Sequence, residues 1–238
     1  MALKELEKPF LSSTFSYKRS KGMIVLEIAT SEVAASILLS GRTTHSRFNI
    51  PLEASETSMC NISKQSAEAK LIRKAKLIIW DEAPMTEKYI IESVDRTLRD
   101  IMDCPHPFGG KVIVFGGDFR QVLPVLPKGT RQQTVAVSLR KSYLWEKMHK
   151  IQLKKNIRAY DDTRFADFIL RVGDGNESII KDDIIKLLED IVVANDSEND
   201  AKGIFIRKIY LDLELHVGES NYVTNRAILA TTIPMLIV

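Results

Sequence analysis

The chain has 238 residues, 45% of them apolar and 27% charged, with a formal net charge of +3. That balance excludes a collagen-like, coiled-coil or wholly disordered chain, and no apolar run reaches the about 20 residues of a membrane-spanning helix. The opening MALKELEKPF lacks the apolar stretch of a secretory leader, and Cys60 and Cys104 form no CxxC pair. Neither a disulfide framework nor a cysteine zinc site is therefore expected. The net charge hides an asymmetry. Residues 111–160 carry 11 Lys/Arg against 2 Asp/Glu, and residues 161–200 carry 4 against 12. The basic stretch suits either a polyanion such as nucleic acid or a solvated helix face.

Residues 1–22 are polar and weakly patterned. Met23 to Ile28 is short, apolar and β-branched, which reads as a buried strand. Thr30 or Ser31 can cap a helix through Val33, Ala34, Ile37 and Leu38, stopped by Gly41. A loop from His45 to Pro51 follows, then a helix over Ser63 to Lys74. Lys76 to Trp80 is a second buried strand and ends in Asp81-Glu82. Thr86 is placed to cap a helix with Ile90, Ile91, Val94, Leu98 and Ile101 on one face. Val112 to Phe115 is a third strand, closed by Gly116-Gly117. Residues 131–147 read as helical, and a fourth strand is expected over 149–153. An amphipathic helix with Phe165, Phe168 and Ile169 opens the acidic region, and residues 194–203 read as a linker. Strands alternating with helices predict an α/β domain with a mostly parallel sheet.

Three segments carry chemistry. In LIIWDEAP, Leu77 to Pro84, a buried strand delivers two adjacent carboxylates at its C-terminal end, where open α/β sheets bind ligands. In nucleotide hydrolases one such carboxylate holds hydrated Mg2+ and the next orients or deprotonates the attacking water. Asp81 is the candidate metal residue and Glu82 the candidate base. In VIVFGGDFRQ, Val112 to Gln121, two glycines permit a tight turn and close approach of backbone to ligand. Gln121 can there sense a γ-phosphate. From Ala29 to Pro51, hydroxyl residues with Arg42, His45, Arg47 and Phe48 suit phosphate contact and base stacking. Read singly, Asp81-Glu82 can equally be a polar turn, Gly116-Gly117-Asp118 a common turn, and Phe48 a core residue.

Together the motifs resemble a known family. Ala29-Thr30-Ser31, Gly41 to Phe48, Trp80 to Met85, Gly116 to Gln121 and Asn156 to Ala159 match, in order and spacing, the petite-integration-frequency (Pif) family of superfamily-one DNA helicases, in its plant or Helitron-like branch. The likeness spans about residues 20–230. It implies a RecA-like P-loop NTPase core, a mostly parallel sheet flanked by helices, here incomplete. It also implies ATP with Mg2+, 5′-to-3′ unwinding of DNA, and single-stranded DNA and duplex junctions as partners. Roles in repair, recombination and telomere maintenance come with it, as does a nuclear location, with an organelle as the alternative. By position, Asp81 and Glu82 are the Walker B pair, Gln121 is the phosphate sensor and Arg158 reaches the triphosphate. Lys8, Gly116, Gly117 and Asp118 fall at nucleotide-binding positions. Thr30, Arg42, His45, Ser46, Arg47 and Phe48 fall in the motifs that line the DNA path.

The sequence also departs from the family. No glycine precedes Gly22, Pro9 follows Lys8 where a hydroxyl residue is usual, and Glu32 replaces a glycine. The expected organisation is therefore a remnant of the P-loop region over 1–22, a RecA-like motor domain over 23–160, a helical and acidic connection over 161–225, and the start of a second motor domain over 226–238. The alternative to an active helicase is an inactive helicase fragment that retains only single-stranded DNA binding.

Overall fold

The structure is a computed structural model and describes residues 21–121, 123–151, 161–182, 184–193, 201–216 and 218–228. The chain divides into two compact units, Met1–Glu177 and Ser178–Val238. Helix 163–174 thus groups with the first unit.

The first unit is built on four parallel strands in the order β2-β1-β3-β4. They are β1 (Ile24–Ala29), β2 (Arg42–Thr43), β3 (Ala75–Asp81) and β4 (Val112–Phe115). Both faces of the central strands are covered, which is why β1 and β3 read as continuous apolar runs rather than alternating ones. The register pairs Ile28 with Trp80, Ala29 with Asp81, and Trp80 with Phe115. The C-terminal ends of β1, β3 and β4 therefore lie side by side along one sheet edge.

Helices α1 (Glu32–Ile37), α2 (Thr44–Phe48), α3 (Ala67–Lys74), α4 (Lys88–Met102), α5 (Arg131–Val137) and α6 (Thr163–Asp174) flank or follow the sheet. On α4, the residues Ile91, Val94, Leu98 and Ile101 recur at helical spacing and are at most 1% exposed. They join Ile28, Ile78 and Trp80 in one core. Ser31 and Ser66 cap α1 and α3 by accepting from the N–H groups of Ala34 and Ala69.

Four expectations need correction. The fourth strand is Arg42–Thr43, a two-residue parallel pairing too short and polar to leave a hydrophobic pattern. Residues 149–151 are not a strand, and 152–153 lie outside the described residues. The expected His45–Pro51 loop begins with α2, capped by Thr43 and ended by Asn49 in a left-handed conformation. Residues 131–147 hold α5 and two single turns, since the Ser138 backbone is extended and ends the helix. Thr86 is not the cap of α4. Glu87 takes that position, and the Thr86 hydroxyl is used elsewhere.

One buried polar cluster fixes α4 against the segment that follows it. Asp95 is 0% exposed. Its carboxylate accepts from the Phe108 N–H and the Tyr143 hydroxyl, and pairs with Arg99 at 2.8 Å. Burial and this carboxylate push the Tyr143 phenol well above its ordinary value, so it stays protonated as the donor. In the second unit, β5 (Ile179–Lys181) and β6 (Ile184–Ile185) pair antiparallel, and α7 (Ala201–Ile209) and α8 (Ser220–Thr224) follow. Asp95→Ala leaves Tyr143 and Arg99 without their buried acceptor, and it is expected to lower the unfolding free energy by about 3–5 kcal/mol in urea titration.

Candidate functional site

The site lies at the shared C-terminal edge of β1, β3 and β4. Asp81 is the last residue of β3, and both Asp81 and Glu82 are 5% exposed. Glu82 adopts a left-handed backbone, φ 57° and ψ 33°, which costs a non-glycine residue of order 1 kcal/mol or more. The surroundings hold it there from both sides. Its N–H donates to Asp81 Oδ1 at 3.0 Å, and its carbonyl accepts from the Thr30 hydroxyl at 2.9 Å. The next N–H, of Ala83, donates to the Gly116 carbonyl at 3.0 Å.

Thr30 is the hub of this edge. Its hydroxyl donates to the Glu82 carbonyl, accepts from Trp80 Nε1 at 3.1 Å, and lies 2.6 Å from the Thr86 hydroxyl. One proton and two lone pairs are then all in use, which assigns Thr86 as a donor. The Thr30 backbone N–H also donates to the Asp81 carbonyl at 3.1 Å. The expected contact of Thr30 with DNA is thereby corrected: its side chain is committed to the frame.

The Gly116-Gly117-Asp118 turn closes against the same place. Gly116 N–H donates to the Trp80 carbonyl at 2.8 Å. Gly117 has φ +147°, and a Cβ on it would stand 2.2 Å from Pro84 Cδ. Its missing side chain therefore serves the approach of the two turns to each other. Asp118 is 6% exposed and accepts from the Arg120 N–H at 3.0 Å, while its carbonyl accepts from the Gln121 N–H at 3.2 Å. This carboxylate shapes the turn that presents Gln121, which is exposed. Gln121 follows β4, the strand beside the one that ends in Asp81.

The residues from 29 to 51 separate into two groups. Phe48 is 0% exposed within the main core, so the expected stacking platform is corrected to a packing role. Thr44 is buried and donates to the Ala29 carbonyl. Arg42 and Ser46 are exposed, and His45 and Arg47 are half-buried. Arg47 reaches the Ser40 carbonyl at 3.5 Å, and its buried Nε has no hydrogen-bond partner among the described residues. Burial first, and the nearby Arg42 charge second, hold the Arg47 guanidinium below its ordinary value. Two cations held this way favour an incoming anion. Lys8 and Arg158 lie outside the described residues.

Four contributors stand outside the expected site residues. Trp80 and Thr86 complete the Thr30 hub across 50 and 56 residues of chain. Pro84 sets the fit against Gly117. Arg120 pairs with Asp174 on α6. Trp80, Pro84 and Arg120 stand inside the motifs quoted from the sequence, and Thr86 just beyond one of them.

Mg2+ binds hard oxygen donors, usually one or two carboxylates together with substrate phosphates and waters. Asp81 and Glu82 at a strand end are that kind of donor set. Among the described residues no group of three or more His, Cys, Asp or Glu is gathered as an all-protein metal cage.

A parallel sheet with paired carboxylates at one strand end and a glycine turn at the next is the core of a RecA-like motor protein. The chain matches the PIF1-like helicase family over residues 7–183 and belongs to that family. It is 26% identical over 188 residues to the ATP-dependent DNA helicase Pif1 of Bdellovibrio bacteriovorus, covering 77% of this chain and 41% of that protein. It is 30% identical over 111 residues to ATP-dependent DNA helicase PIF1 of Candida albicans, covering 44% and 12%. The chain thus spans well under half the length of these relatives. The crystal structure of Pif1 helicase from Candida albicans superposes with a TM-score of 0.57 at 25% identity, over 69% of this chain and 37% of that one. Bacteroides Pif1 bound to single-stranded DNA shares the fold, with a TM-score of 0.56 at 23% identity over 68% and 39%.

Two substitutions test the frame. Thr30→Val removes the acceptor of the Trp80 indole and the donor to Glu82, and should cost about 1–3 kcal/mol in chemical unfolding. Gly117→Ala should cost at least as much, because it adds an unfavourable backbone to a clash with Pro84; about 1–3 kcal/mol belongs to the backbone alone.

Proposed function

We propose that this chain provides the ATP-hydrolysing motor of a DNA helicase that unwinds DNA in the 5′-to-3′ direction. The observation that carries the reading is the adjacency of Asp81-Glu82 to the Gly116-Gly117-Asp118 turn at neighbouring strand ends of a PIF1-like chain. Asp81 would hold Mg2+ on the triphosphate. Glu82, in its constrained backbone, would orient and deprotonate the attacking water. Gln121 would contact the γ-phosphate or that water. Gly116 and Gly117 would let the turn approach the nucleotide. Lys8 and Arg158 are proposed, from motif position, to reach the triphosphate.

Arg42, His45, Ser46 and Arg47 are proposed to contact the backbone of single-stranded DNA. The unpartnered Arg47 Nε beside a second arginine supports this, since a phosphate would satisfy both. The titles of two solved relatives support the ligands: one Bacteroides Pif1 is bound to single-stranded DNA and another is in complex with ADP-AlF3 and single-stranded DNA. Action at duplex junctions, a plant or Helitron-like affiliation, a place in repair, recombination and telomere maintenance, and nuclear location belong to the same proposal.

A second reading is a chain that holds single-stranded DNA without turnover. It rests on the absence of any glycine from residues 1–20, where a P-loop would need one to wrap phosphates with backbone N–H groups.

DNA-stimulated ATP hydrolysis decides between the two. The helicase reading expects turnover that Glu82→Gln lowers by about 100-fold or more, with the fold intact by circular dichroism. DNA binding with no turnover in either protein selects the second reading. For DNA, affinity should fall steeply with salt. Each of Arg42→Ala and Arg47→Ala should reduce the slope of log K against log salt by about 0.7, the value for one phosphate on a single strand. Equilibrium titration by fluorescence anisotropy at several salt concentrations measures it.

A further inference from the structure

We propose that Arg120 is a positioning residue that ties the turn carrying Gln121 to the C-terminal end of α6, so that occupation of the phosphate site is felt at that helix. The proposal rests on the nucleotide reading above. Residues 118 to 120 each contribute a contact that holds the turn. Asp118 closes it internally through the Arg120 N–H. The Phe119 ring meets Trp145 edge-on at 5.4 Å. The third contact is made by Arg120 Nε, 2.6 Å from Asp174 Oδ1.

The first contact is internal to the turn, and the second joins it to the short turn that begins at Trp145. Arg120 alone of the three joins it to a separate helix, and it sits directly before Gln121. The two side chains are 30% and 35% exposed, so the pair is partly shielded from water and only partly screened. Asp174 ends α6, where a carboxylate meets the negative end of the helix dipole. The Arg120 cation offsets both charges. Gly173 makes the approach possible: a Cβ there would stand 3.2 Å from Arg120 Cδ, 3.7 Å from its Cβ and 3.9 Å from its Cγ. The arginine stem runs along the bare face of that glycine, at a position where glycine is a poor helix former. Arg171, one turn earlier, is already paired with Glu177.

A pair of this kind makes a shift of the turn and a shift of the helix end into one event. When Gln121 engages a phosphate, Arg120 moves with it or is locked, and the last turn of α6 follows. That turn has amides suited to detection, because Gly175 N–H donates to Val172 and Asn176 N–H donates to Arg171.

Hydrogen exchange by mass spectrometry on the 238-residue chain, with and without Mg2+ and the non-hydrolysable β,γ-imido analogue of ATP, tests the proposal. In the unsubstituted protein, nucleotide should slow exchange in the peptides covering 116–121 and 171–177, by about fivefold or more. In Arg120→Ala the effect should remain at 116–121 and vanish at 171–177. The exchange of the charges, Arg120→Asp with Asp174→Arg, should restore it. Should Arg120→Ala fail to fold, Asp174→Asn gives the same comparison from the other partner. A nucleotide effect at 171–177 that survives Arg120→Ala overturns the proposal. An effect confined to 116–121 in the unsubstituted protein also overturns it and leaves the nucleotide reading standing. No effect anywhere removes the nucleotide reading and the proposal together.

Discussion

The hydroxyl of Thr30 is the contact on which the rest of the site depends. Glu82 must leave the end of β3 in a left-handed conformation to turn the chain toward Pro84, and an isolated glutamate would relax from it. The bond from Thr30 to the Glu82 carbonyl and the bond from the Glu82 N–H to Asp81 hold the residue on both sides. Trp80 and Thr86 then saturate the same hydroxyl. A half-buried hydroxyl with every valence in use is harder to displace than one sharing its bonds with water, because each broken bond leaves an unsatisfied group behind. The carboxylates are therefore placed by the backbone beneath them, and that backbone is placed by a residue about 50 positions away in sequence.

The same economy explains how much of the structure was legible in the sequence. Strands β1 and β3 were readable because parallel strands covered on both faces leave long apolar runs, and β4 because all four of its residues are apolar, although Val112 and Val114 are exposed. Helix α4 was readable because Ile91, Val94, Leu98 and Ile101 repeat at helical spacing. The pairing of Arg42–Thr43 was not, since two polar residues at a sheet edge carry no periodicity. Thr86 illustrates a different limit. Its position before an apolar helix fits a cap, yet its hydroxyl answers a partner 56 residues away. A local rule cannot see a long-range bond that satisfies the same group better. Phe48 shows the complement: an aromatic among arginines reads as a base platform, while in three dimensions it is the apolar face of α2 closing the core.

The candidate site was legible in its chemistry and less so in its division of labour. Asp81 and Glu82 stand at the end of β3, and Gln121 comes after the neighbouring β4, an order along the sheet that spacing conveys. Within the same motifs, Thr30, Phe48, Gly117 and Asp118 build the frame. Motif membership does not separate these roles, since a residue that fixes the backbone is as constrained as one that touches a ligand. Burial and valence separate them. Thr30 has no bonding capacity left, and Phe48 has no exposed surface.

Arg42 and Arg47 stand at the opposite extreme. Arg47 gives up part of its hydration, keeps an unpartnered Nε, and tolerates a second cation nearby. Burying an unsatisfied charged donor lowers stability, so the fold carries this arrangement at a cost met by the core that Phe48 and Thr44 complete beside it. An anion brought to that place recovers hydrogen bonds and relieves repulsion together. The free energy withheld from folding is then available to binding, and it is available only to a ligand of the right charge. The frame built around Thr30 and the strained cations near Arg47 are thus opposite in kind: the first is saturated, so the edge at Asp81 and Glu82 is held in place, and the second is left unsaturated, so an anion has something to gain.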